Sequence, residues 1–150
     1  MLHTINPRLF DDQLTYIANH AEDRVLLYDC AFQPIVDRLK SQWTTIDHYI
    51  CFDSAEHAVH FEDWIGAWDG HTEWDTGDER DPCMLCYTSG TTGNPKGVLY
   101  EHRSTMLHAL TALQPAVFGL DARAVMLPIV LMFHAASWGL PWAAAASGAK

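Results

Sequence analysis

Short apolar runs of strand length alternate with stretches whose apolar residues recur at helical spacing, and that alternation restricts the chain to an α/β layer structure. Val25-Leu26-Leu27-Tyr28, ending at Asp29, predicts a short buried strand. Before it, Phe10, Leu14, Ile17, Ala18 and Ala21 mark a helix that the acidic pair Asp11-Asp12 suits at its start. After it, Pro34 fits the first turn of a second helix with an inner face of Ile35, Val36, Leu39 and Trp43. Ile46 to Phe52 predicts another strand, and Phe61, Trp64, Ile65 and Trp68 a third helix. Strands joined through helices pair in parallel, so the expected fold is α/β, a mainly parallel sheet with flanking helices.

Charge narrows the partners. The 150 residues hold 19 acidic and nine basic side chains, a net charge of −10. Binding to nucleic acid draws on a basic face that releases counterions from phosphates, so nucleic acid is excluded as a partner class. Ten of the acids and one base, Arg80, lie between Asp53 and Asp81. The Gly70–Pro82 part, poor in apolar residues, reads as an exposed, solvated connection. Four cysteines, Cys30, Cys51, Cys83 and Cys86, are too few and too unevenly spaced for a disulfide framework. The first eight residues lack the basic and apolar regions of a secretory leader, which points to a cytoplasmic setting with free thiols.

Ala124 to Ala149 is a run of 26 residues without Asp, Glu, Lys or Arg, long enough to span a bilayer. Pro128, His134, Gly139 and Pro141 divide it, however, and the expectation is a buried strand, a loop and a helix, with no transmembrane span. Just upstream, Met106, Leu107, Leu110, Leu113 and Val117 describe the expected inner face of a further helix.

The chemistry-bearing segment follows the strand-like Cys83-Met84-Leu85-Cys86-Tyr87. It reads Tyr87-Thr88-Ser89-Gly90-Thr91-Thr92-Gly93-Asn94-Pro95-Lys96-Gly97-Val98. Glycines let a backbone turn its N–H groups toward an anion, hydroxyls add donors or Mg²⁺ ligands, and a lysine adds mobile positive charge. Counting from Gly90, Pro95 stands where a Walker loop has its second glycine, so the Walker pattern fails. By composition alone the segment reads more readily as a polar surface turn than as a binding loop. Cys83-x-x-Cys86 offers a rival reading as a thiol or zinc binding module, although no second pair exists and strand residues three apart face opposite sides.

The twelve-residue string closely resembles the signature loop of the adenylate-forming enzymes, the superfamily of acyl-CoA synthetases, luciferases and peptide-synthetase adenylation domains. Thr4-Ile5-Asn6-Pro7-Arg8-Leu9 and Leu127-Pro128-Ile129-Val130-Leu131-Met132-Phe133-His134 resemble its flanking segments, and the wording is nearest to medium- and long-chain fatty acyl-CoA synthetases. The resemblance implies a ligase that spends ATP with Mg²⁺ to make an acyl-adenylate from a fatty acid, releases pyrophosphate, and passes the acyl group to coenzyme A. It also leaves open a non-fatty carboxylate as substrate, and a homodimeric parent enzyme. By position, Thr88 resembles the Mg²⁺ ligand, and Ser89, Gly90, Thr91, Thr92, Gly93 and Lys96 the phosphate-contacting loop. His134 resembles the active-site histidine, Ala135 a backbone position bordering the nucleotide, and Trp138 the aromatic gate of the acyl tunnel. Leu131 and Ala136 depart from the subgroup's usual Pro and Asn. Family members are several times longer, so residues 1–150 are expected to be part of the large N-terminal domain. The adenine, ribose and second Mg²⁺ contacts and the C-terminal domain would lie outside it, and the chain alone would be catalytically incomplete.

Overall fold

The computed structural model describes residues 1–53, 58–74, 76–88 and 93–150. Its elements begin with β1 (Leu2–His3), α1 (Asp11–His20), β2 (Val25–Tyr28), α2 (Gln33–Leu39), β3 (His48–Cys51), β4 (Val59–His60) and α3 (Phe61–Gly66). They continue with β5 (Pro82–Thr88), β6 (Lys96–Glu101), α4 (His102–Ala112), a one-turn segment α5 (Ala135–Trp138), and α6 (Leu140–Ser147). Two compact units result, one of Pro7–Asp75 and one of Met1–Asn6 with Thr76–Lys150.

In the Pro7–Asp75 unit, β2, β3 and β4 form a parallel sheet in that order, with Val25 opposite His48 and Ile50 opposite Val59. Helix α1 buries Leu14, Ile17 and Ala18, the spacing of one helical face, and carries Asp11 and Asp12 in its first turn. Pro34 sits in the first turn of α2, where its missing N–H costs no hydrogen bond. Arg38 grips Asp11 with two hydrogen bonds of 2.6 and 2.8 Å and so joins the two helices. Those bonds hold the Asp11 carboxyl below its ordinary pKa. Strand β2 is less buried than expected: Tyr28 is inside, but Val25 and Leu27, which share the opposite side of the strand, are exposed. The third helix buries none of its residues, and the stretches 70–74 and 76–82 are exposed throughout, as an acidic connection should be.

In the other unit the sheet order is β1-β5-β6. β1 runs parallel to β5, whereas β5 and β6 form an antiparallel hairpin, the one departure from the parallel pairing of the described strands. Two expectations fail here. Helix α4 buries Ala109 and Ala112, while Met106, Leu107, Leu110 and Val117 are exposed. It packs against α6, and small side chains allow that approach. The expected buried strand at the start of the uncharged run does not form either: Val125, Leu127 and Ile129 are 83, 83 and 84 % exposed. An extended segment becomes a strand only beside a partner that takes its N–H and C=O groups. The partner present is Lys150, which donates to the Ala124 carbonyl (3.0 Å) and accepts from the Met126 N–H (2.7 Å). The helix expected in the same run is α6, and no helix among the described residues is long and apolar enough to cross a membrane.

The α4 finding yields a stability test by urea unfolding. Leu110→Ala should shift stability by less than about 0.5 kcal/mol, whereas Ala109→Leu should cost about 1–3 kcal/mol through overpacking. The opposite ranking would restore the leucine face as the packed one.

Candidate functional site

The hairpin register runs from Pro82 opposite Glu101 to Thr88 opposite Lys96. Thr88 and Lys96 therefore stand at the two feet of the glycine- and threonine-rich loop. Both are exposed, and the Thr88 hydroxyl donates to the Lys96 carbonyl at 3.4 Å. Ser89, Gly90, Thr91 and Thr92 lie outside the described residues. Gly93 is exposed with nothing within 4 Å of where a Cβ would be, and Pro95 is buried. At Gly97 a Cβ would press on Leu85 Cδ1 at 3.1 Å, so glycine there lets β6 lie close over the side chains of β5.

The second part of the site is α5, and its backbone is unusual. Ala135, Ala136, Ser137 and Trp138 have φ of 45, 52, 53 and 56°, and Gly139 follows at 70°. This is a left-handed turn built from side-chain-bearing residues, each at a cost of roughly 1–2 kcal/mol. Packing and hydrogen bonds hold it. Ala136 is buried against Met84 and Cys86 of β5, and the buried Ser137 donates its hydroxyl to the Val130 carbonyl at 2.6 Å. Upstream, Thr4 donates to the Met132 carbonyl at 3.1 Å. Its hydroxyl lies 3.5 Å from the Cys86 thiol. His134 is exposed immediately before the turn, Ala135 is exposed within it, and Trp138 is half-exposed at its end.

A cavity of about 360 Å³ opens beside the turn, between Met84 and Tyr100 of the sheet, Thr105 and His108 of α4, and Trp138 and Trp142. Thr105 and His108 are engaged with the protein. Thr105 Oγ1 lies 3.3 Å from Cys83 Sγ, and His108 Nε2 lies 2.8 Å from the Trp138 carbonyl. Burial, and after it the Cys86 thiol, pushes the Tyr100 phenol above its ordinary pKa, so it stays neutral near pH 7. The cavity thus presents a largely apolar wall, suited to an aliphatic or aromatic group rather than to a charge.

Among the described residues, Cys83 and Cys86 belong to no group of three metal-ligating side chains. Cys83 Sγ contacts the Tyr100 carbonyl and Thr105, whereas Cys86 is buried beside Thr4. Among the described residues the one group of three metal-ligating side chains is Asp29, Cys30 and Asp53, all exposed. Burial and the two carboxylates push the Cys30 thiol up, which disfavours the thiolate that metals bind.

The family profile described as "AMP-binding enzyme" matches residues 1–150, the whole chain. The chain belongs to the AMP-binding enzyme family. Its relatives include a 3-methylmercaptopropionyl-CoA ligase of Ruegeria pomeroyi, 45 % identical over 156 residues. A medium-chain-fatty-acid–CoA ligase of Ectopseudomonas oleovorans is 47 % identical over 156 residues. Each alignment covers 99 % of this chain and 29 % of the relative, so the chain spans under a third of the length of these curated relatives. Among solved structures, an anthranilate CoA ligase in complex with anthranoyl-AMP superposes with a TM-score of 0.83 at 26 % identity. That superposition covers 99 % of this chain and 29 % of the ligase. The α/β fold is accordingly that of part of the N-terminal domain of adenylate-forming enzymes.

In this AMP-binding chain the structure brings the predicted residues Ala135 and Trp138 into one turn directly after His134. It sets Thr88 and Lys96 at the loop's feet. Sequence reasoning missed His108, Ser137 and Thr4, whose roles arise from contacts across 30, 7 and 128 residues. Gly139 was the available signal, since a glycine after a small-residue run marks a left-handed position.

The left-handed backbone inverts the usual rule for glycine. Ala135→Gly, which lowers stability by about 0.5–1 kcal/mol in an ordinary helix, should here leave it unchanged or raise it by up to about 1 kcal/mol. Thermal unfolding of the variant checks this, and a clear loss of stability would contradict the left-handed assignment.

Proposed function

We propose that residues 1–150 are a partial AMP-binding domain, the phosphate-loop part of an ATP-dependent acid–CoA ligase, and that its substrate is a carboxylic acid with an apolar chain. The observation that carries this reading is the pairing, in one unit, of the feet of the glycine- and threonine-rich loop with an apolar cavity beside the turn that follows His134. The relatives named for CoA ligation, at 45 and 47 % identity, support the reaction class.

In this reading the acid's carboxylate oxygen attacks the α-phosphorus of ATP, the bond to the pyrophosphate oxygen breaks, and pyrophosphate leaves. The thiol of coenzyme A then attacks the acyl carbon and AMP departs. A carboxylate is a poor electrophile, and joining it to AMP supplies the leaving group it lacks. The loop's backbone N–H groups, unhindered by side chains at the glycines Gly90 and Gly93, the hydroxyls of Ser89, Thr91 and Thr92, and the Lys96 ammonium hold the departing phosphates. Thr88 offers an exposed hydroxyl oxygen, a donor type that fits Mg²⁺, and Mg²⁺ when bound neutralises phosphate charge. His134 and the Ala135 backbone border the reacting groups, and Trp138 flanks the acyl chain. The setting is cytoplasmic, and the full-length parent acts on small molecules as a soluble enzyme.

Alone, the chain is expected to make no acyl-CoA and to bind ATP weakly, because a phosphate loop without adenine and ribose contacts attracts the nucleotide but does not orient it. Calorimetric titration checks both parts. Mg-pyrophosphate should bind weakly, with an affinity that falls in salt and falls further in Lys96→Ala. Equal binding by Lys96→Ala would remove the phosphate-loop role, and micromolar ATP binding with turnover would show that the chain is a complete ligase.

A further inference from the structure

Four consecutive residues with side chains, Ala135 to Trp138, hold positive φ, and something must stop that turn from reverting to ordinary backbone. The Ser137 and Ala136 contacts secure its middle. Its end is secured from another element: His108, on α4, places Nε2 2.8 Å from the carbonyl of Trp138. A carbonyl oxygen only accepts, so Nε2 carries the proton and donates it. The approach depends on Gly139. A Cβ at that position would collide with His108 Cδ2 and stand 2.9 Å from Nε2, and the φ of +70° there also favours glycine. His108 and Trp138 are both on the wall of the apolar cavity.

We propose that His108 is a positioning residue: its Nε2–H, reaching the Trp138 carbonyl through the space Gly139 leaves, fixes the end of the left-handed turn and so sets where the Trp138 indole stands on the cavity wall. The consequence for the acyl chain rests on the function proposed above; the lock itself does not. His108 acts through Trp138: its bond is to the backbone carbonyl, so it fixes the base from which the indole projects along the cavity wall. A substrate chain would then meet an aromatic wall of defined position rather than one that drifts with the turn.

The test uses the 150-residue chain labelled with 5-fluorotryptophan, in which the six tryptophans give separate ¹⁹F resonances and Trp138→Phe identifies one of them. His108→Leu keeps bulk but loses the donor, and His108→Gln restores an N–H at similar reach. The expected result is a Trp138 resonance that shifts or broadens by more than a linewidth in His108→Leu and in Gly139→Ala, and returns in His108→Gln. The tryptophans of the Pro7–Asp75 unit should keep their positions throughout. An unmoved Trp138 resonance in folded His108→Leu overturns the proposal, as does failure of His108→Gln to restore it. If His108→Leu does not fold, the unsubstituted chain still decides. Two-bond ¹⁵N correlations of the imidazoles should place the His108 proton on Nε2, and a proton on Nδ1 alone contradicts the lock. Octanoate titrated into the same labelled chain separates the two readings, since a Trp138 resonance that ignores the acid counts against the acyl site while leaving the lock standing.

Discussion

Everything assigned to the candidate site leans on one strand. The side chains of Met84 and Cys86 in β5 bury Ala136, the second residue of a turn that ordinary backbone energetics oppose. Two residues beyond Cys86, the same strand ends at Thr88, where the glycine- and threonine-rich loop begins. Packing on β5 thus ties the start of the glycine- and threonine-rich loop and the strained turn to one strand. Thr4 adds a third tie, joining the residue after β1 to Met132 and placing its hydroxyl beside Cys86.

Strain at the turn is informative because so much surrounds it. A residue at positive φ persists only where neighbours over-determine it, and such positions concentrate where a protein must aim a group rather than merely pack one. In the proposed function the aimed groups are His134, just before the turn, and Trp138, at its end. The hydroxyl of Ser137, the methyl of Ala136 and the imidazole of His108 each hold a different part of the turn. Of the polar side chains along the cavity, His108 is used in this holding, and the remaining wall is largely apolar.

Much of this was legible in the sequence, and the reasons for the rest are physical. Local spacing located α1, α2 and β3, and short apolar runs located β2 and β5, because these signals lie within single segments, as with Leu14, Ile17 and Ala18. The loop from Thr88 to Lys96 and its place after a strand were legible because Gly, Thr and Lys carry their meaning locally. The face of α4 was misread because large apolar residues outnumber the alanines that pack. Which face is buried depends on a neighbour 30 or more residues away. The segment at Val125, Leu127 and Ile129 has the composition of a strand, but pairing is a property of two segments, and composition names one. His108 carries no local signal at all: its role exists only because Gly139 leaves room for it.

The central claim is that these residues form the phosphate- and acyl-binding part of a CoA ligase. It is tested most directly by exchanging them for the matched stretch of the Ectopseudomonas oleovorans medium-chain ligase and measuring acid-dependent pyrophosphate release together with acyl-CoA formation. The account predicts turnover in the folded chimera and its collapse when Thr88→Ala is added. A folded chimera that releases no pyrophosphate, or whose release is indifferent to Thr88→Ala, would contradict it.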